Sequence, residues 1–129
     1  MRRVRAAANR GELELAERTC ILALERFPHS PELLLLHGFL LGEAGRYQEA
    51  ANSLRAVVYL DRQLAVAHLA LGVVLARLGM PEAARRALRN ADRILSAVAP
   101  DDPVPLSDGE PASRLKEMGR VRLSLLMAR

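Results

Sequence analysis

Apolar positions recur along most of the chain at spacings of three and four residues, the period of a helix that buries one side. That pattern predicts a short helix over 2–10, then helices over about 12–26, 31–44, 47–60, 65–78 and 81–97. Polar and glycine-containing breaks separate them. Phe27-Pro28-His29-Ser30-Pro31 ends one helix, with Ser30 placed to cap the next and Pro31 at its first position. Gly11 marks an earlier break, and Gly79 with Pro81 a later one. From Ala99 the pattern stops. The stretch 99–111, APDDPVPLSDGEP, carries four prolines and is predicted to be a connector. A last amphipathic helix follows over about 111–127, with Leu115, Met118, Val121, Leu125 and Leu126 along one side.

The helices are copies of one unit. Over 65–98 and 31–64, Gly72 falls on Gly38, Leu75 on Leu41, Gly79 on Gly45, Ala84 on Ala50 and Leu88 on Leu54, each at an offset of 34. A further shift maps Gly79 to Gly11, Ala84 to Ala16 and Ala91 to Ala23. A constant offset is the mark of stacked helical hairpins. Glycine inside a helix costs about 1 kcal/mol against alanine. Gly38 and Gly72 are therefore expected where a side chain would collide with the partner helix, and Ala16, Ala50 and Ala84 supply small residues at the same crossing. Leu71, Leu75, Leu78, Leu88 and Ile94 fill the remaining space.

This pattern resembles the tetratricopeptide repeat. Residues 65–98 meet the family pattern at Leu71-Gly72, Leu75, Ala84, Leu88 and Ala91; residues 31–64 meet it at Leu34, Gly38, Leu41, Ala50 and Leu54. In 1–30 only the second half is clear, at Ala16, Ala23 and Pro28, so the phase implies a repeat that begins before Met1. Departures are His68 and Leu34 in place of tryptophan, His37 in place of leucine, and no aromatic in the second helix. The resemblance implies an all-α superhelix, a solenoid of three hairpins: a partial repeat over 1–30, then 31–64 and 65–98. The connector 99–110 and a capping helix over 111–129 complete it, because a solenoid end needs covering. A rival placement of the last helix is inside the groove, in competition with a ligand.

Composition narrows the function. One domain is expected from 129 residues, and the single cysteine, Cys20, excludes an internal disulfide and sits at a core position. No apolar run approaches the ~20 residues needed to span a bilayer, and no apolar stretch follows the charged MRRVRAAANR. A cytoplasmic protein is expected. The net charge of +4 is carried almost entirely by arginine. Arg85, Arg86, Arg89 and Arg93 form a stripe on one helix, read as a solvated outer face; a nucleic-acid role is disfavoured because no aromatics interleave and Glu82 and Asp92 lie nearby. His29, His37 and His68 are scattered, and the acids of 101–110 fit no calcium loop, so no metal, no cofactor and no enzyme activity is expected.

The tetratricopeptide resemblance implies that the first helix of each hairpin faces a concave groove. The candidate protein-binding residues are then Arg5 and Asn9, Leu35, Phe39 and Glu43, and Leu69, Val73 and Arg77. Arrays that grip a terminal carboxylate carry Lys and Asn at such positions, and this chain has Leu35, Phe39, Leu69 and Val73 instead. An apolar peptide or amphipathic helix suits them better; the alternative is that they pack against helix 111–127.

A second resemblance lies in 101–115. Asp102-Pro103-Val104-Pro105, Ser107-Asp108-Gly109 and Ala112-Ser113-Arg114-Leu115 are similar to the C-terminal region of CheR-type chemoreceptor methyltransferases, including their FrzF-like branch. That resemblance implies a regulatory protein-interaction module in chemotaxis signalling, without the catalytic domain. Its partner would be a chemoreceptor segment or the parent methyltransferase domain. A generic adaptor in another pathway is the alternative. The incomplete first repeat would also leave an apolar end through which two copies could pair as a homodimer.

Overall fold

A computed structural model describes residues 10–127. The candidates Arg5 and Asn9, and residues 2–9 of the predicted first helix, lie outside the described residues. Six helices follow in order among those described: α1 (Arg10–Arg26), α2 (Pro31–Glu43), α3 (Tyr47–Leu60), α4 (Ala65–Arg77), α5 (Pro81–Ser96) and α6 (Ala112–Met127). Among the described residues there is no strand, only an isolated bridge between Pro103 and Pro111. Each helix packs on the next, which makes the chain an all-α helical-repeat solenoid.

The repeat is visible in the backbone bonds that end each first helix. After α2, Gly45 turns left-handed at φ +77°; its N–H donates to the Gly42 carbonyl at 3.0 Å and Arg46 N–H to the Leu41 carbonyl at 2.9 Å. After α4, Gly79 does the same at φ +73°, with Gly79 N–H on Ala76 at 3.1 Å and Met80 N–H on Leu75 at 3.0 Å. This doubly bonded stop requires a residue free of the Cβ penalty, hence glycine. At the other end of α2, Ser30 Oγ accepts from Leu33 N–H at 3.3 Å and Pro31 occupies the first turn. Gly11 does not break the chain as expected: α1 begins one residue earlier, with Gly11 and Glu12 in its first turn. Glycine is tolerated there because the first four N–H groups make no intrahelical bond.

The helix crossings explain the two internal glycines. A Cβ on Gly38 would lie 2.8 Å from Leu54, and one on Gly72 would lie 2.7 Å from Leu88. Leu54 and Leu88 are buried, as are Ala50 and Ala84 beside them. The core runs from Leu35 and Leu41 through Val57 and Leu64 to Leu75 and Ala87 without interruption between the hairpins. His68 is buried, and its Nε2–H donates to the Arg62 carbonyl at 2.9 Å, which fixes the turn between α3 and α4. Glu17 on α1 is held by Arg46 at 2.8 Å and by His37 at 3.4 Å, and Cys20 Sγ contacts the Leu33 carbonyl at 3.4 Å. Burial, reinforced by the Glu17 charge, pushes the Cys20 thiol pKa above its ordinary value.

The last helix packs on α5 and touches α4. Its buried side is Ala112, Leu115 and Gly119, with Leu126 partly buried against the core. Met118, Val121 and Leu125 are exposed instead of joining that side, so the apolar stripe read from the sequence splits between two faces. Gly119 lies on the buried side, facing α4. A Cβ there would lie 3.0 Å from Leu69 Cδ2, so the helix turns its glycine toward α4 and lets Leu69 close against it. Arg120 pairs with Asp92 of α5 at 3.0 Å, and Lys116 Nζ donates to Ser96 Oγ at 3.3 Å.

Candidate protein-binding groove

The first helices of the two complete hairpins, α2 and α4, lie side by side because each is tied to the next by an antiparallel partner. Between them runs a groove of about 660 Å³. Leu35 and Phe39 of α2 and Val66, Ala70 and Val73 of α4 give it an apolar floor, and Glu43 and Arg77 end it on one side. Five of the residues chosen from the repeat phase are thus brought together: Leu35, Phe39, Glu43, Val73 and Arg77. Leu69 is not among them. It packs with Ala65, Leu95, Val104, Ala112 and Leu115, under α6. The offset of 34 is correct for its backbone, but the last helix comes from outside the repeat and covers this position.

Several residues of the groove carry no signal in the repeat pattern. Tyr47, the first residue of α3, lies beneath Arg77, whose guanidinium sits 5.9 Å from the ring centroid. The remaining wall comes from the C-terminal segment: Leu106, Ser107 and Asp108 of the connector, and Leu115 and Met118 of α6. The connector is therefore part of the groove as well as a link. The last helix lies on α5 with one edge along the groove, an arrangement between the two placements expected for it.

The connector is tightly built. Val104 is buried with Ile94, Leu95, Ala112 and Leu115, and its N–H donates to the Glu110 carbonyl at 2.9 Å. Ser107 Oγ donates to the Val104 carbonyl at 2.6 Å and accepts from Glu110 N–H at 3.0 Å. Ala112 N–H reaches the Asp102 carbonyl and Ser113 N–H the Pro100 carbonyl, each at 2.9 Å. Inside this closed turn Leu106, Asp108 and Gly109 all have positive φ, at 60°, 60° and 81°. Glycine adopts this region freely and aspartate tolerates it, whereas leucine pays roughly 1–2 kcal/mol. Leu106 is nonetheless 44% exposed, so burial does not explain the strain.

Elsewhere the side chains point to structure. Among the described residues no group of three His, Cys, Asp or Glu side chains is gathered as a metal site. Arg85 is half-buried and pairs with Glu82, so the outer basic stripe reduces to Arg86, Arg89 and Arg93. No helix among the described residues is long and apolar enough to cross a membrane.

The sequence matches no protein-family model and no curated protein. The architecture does match solved structures. PcrH, in a crystal structure of its complex with the chaperone binding region of PopD, superposes with a TM-score of 0.77, covering 92% of this chain and 81% of that one. The two are 15% identical, a level at which the likeness concerns the fold alone. The fold is that of a tetratricopeptide-like helical repeat.

Proposed function

We propose that this chain is a non-catalytic protein-interaction module that holds an apolar peptide segment in the groove between α2 and α4. The observation that carries the reading is the groove itself, where Phe39, Val66, Ala70 and Val73 remain partly exposed between α2 and α4. An apolar channel between two helices suits an apolar peptide segment or the apolar face of a helix. The shared architecture with PcrH, whose structure contains a bound region of another protein, supports the same class of partner.

A finer reading makes the module the regulatory C-terminal domain of a CheR-type chemotaxis methyltransferase. It is favoured by the resemblance of 101–115, whose residues Asp102, Val104, Ser107 and Ala112 have a common task in building the connector turn. A generic adaptor in another pathway accords equally well with the fold. One calorimetric experiment addresses both levels. The chain is titrated with peptides from a chemoreceptor methylation region and with apolar peptides unrelated to it, each repeated with Phe39→Glu. Binding lost in the variant, at unchanged helical content, is the expected result. Unaltered affinity refutes the groove assignment, and binding of the unrelated peptides alone removes the chemotaxis reading.

A further inference from the structure

The groove has a charge pattern as well as an apolar floor. Its rim carries three carboxylates, Glu32, Glu43 and Asp108, against one cation, Arg77. None of these carboxylates has an ion-pair partner among the described residues. Arg77 is already drawn onto the Tyr47 ring. An apolar segment lying across this rim would strip water from the carboxylates and give nothing in return, whereas a segment carrying Lys or Arg would pair with them.

Two of the acids share one edge. α5 runs back along α4, so the connector that leaves it returns to the start of α4, where Ala65 packs with Leu95 and Val104. Glu32 lies in the first turn of α2, at the corresponding end of the neighbouring first helix. The edge opposite holds Glu43 and Arg77, one charge of each sign at equivalent repeat positions. The acidic bias of the groove is therefore concentrated at the edge bounded by Glu32 and Asp108.

The turn bearing Asp108 is held in place by its own bonds. Leu106 and Asp108 are both held left-handed by the Ser107 bonds and the Val104 anchor, and both line the groove. The turn thus presents an apolar side chain and a carboxylate on the same rim.

We infer that the groove selects peptide segments with apolar side chains for the floor and Lys or Arg at the edge formed by Glu32 and Asp108, with the 104–110 turn as the element that reads them. The inference rests on the peptide-groove reading and deepens it by naming the chemistry of the partner. An acidic segment is repelled from this edge.

The test is a displayed library of short random peptides, panned in parallel against the full chain, against Phe39→Glu, and against Glu32→Gln combined with Asp108→Asn. Peptides enriched on the parent chain are expected to be apolar with an excess of Lys and Arg. The double variant should lose that excess, and the selected peptides should bind it about tenfold more weakly at low salt, since exposed ion pairs contribute a few-fold each. Enriched apolar peptides with no basic excess, or with an acidic one, overturn the inference and leave the groove in place. Basic peptides that bind the double variant unchanged also overturn it. Enrichment indifferent to Phe39→Glu, or no enrichment at all, overturns the groove reading beneath it.

Discussion

Adding one methyl group to Gly72 tests the packing account directly. The new Cβ would sit 2.7 Å from both Cγ and Cδ2 of Leu88 and 3.4 Å from the Ala84 carbonyl oxygen. Leu88 is 1% exposed, so it has no free space to swing into. Because the clash involves the branch atom as well as a terminal methyl, the helices α4 and α5 have to move apart. Overpacking of this kind costs about 1–3 kcal/mol, and the two contacts below 3 Å place this site in the upper part of that range. Helix propensity returns about 1 kcal/mol for Gly→Ala. The expected net loss for Gly72→Ala is about 1–2 kcal/mol. Gly42, in α2, provides the control, because a Cβ there meets nothing within 4 Å. Gly42→Ala keeps the propensity gain with no clash and is expected to stabilise by up to about 1 kcal/mol. Urea unfolding followed by circular dichroism reads both. If Gly72→Ala stabilises the chain as Gly42→Ala does, the close crossing of α4 and α5 is wrong.

Two further perturbations separate stability from binding and from chemistry. Leu106→Gly relieves the left-handed strain of about 1–2 kcal/mol while freeing the unfolded chain by about 0.4–1 kcal/mol, so the melting temperature is expected to hold or rise. Peptide affinity is expected to fall, because a groove wall is lost; a lowered melting temperature with unchanged affinity contradicts this role. The raised pKa of Cys20 makes its contribution to stability complete below the unfolded-state value near 9.0, with loss as pH rises through the higher folded value. Stability measured on either side of pH 9 is expected to decline on the alkaline side, and Cys20→Ser should flatten that slope.

How much of this was legible in the sequence depends on whether the repeat governs the residue. Gly38 and Gly72 announced the helix crossings, because a glycine that recurs in a helix at constant offset has few reasons other than close approach. Ser30, Pro31, Gly45 and Gly79 marked helix ends through local chemistry that does not depend on the fold. Leu35, Phe39, Glu43, Val73 and Arg77 converge on one groove because they occupy corresponding faces of successive first helices. Leu69 obeys the same arithmetic and is nonetheless partly buried under α6, since the repeat says nothing about a segment outside it. The connector shows the same limit more strongly. Its prolines indicated a helix-free segment, but no composition signal marks Leu106 as left-handed or turns Asp108 toward the groove. Ser107-Asp108-Gly109 between two prolines is a turn signal, and it stops at the turn. Gly11 reads as a break because a glycine in the first turn of a helix looks the same in sequence as one between helices.

The proposed seat of a partner peptide is the groove between α2 and α4. Amide hydrogen exchange of the full chain, with and without a peptide selected on it, tests this. Added protection is expected to concentrate in α2, α4 and the 104–110 turn, with α3 and α5 changed little. Protection confined to α5 and the outer face of α6, with α2 and α4 exchanging as in the free chain, would contradict it.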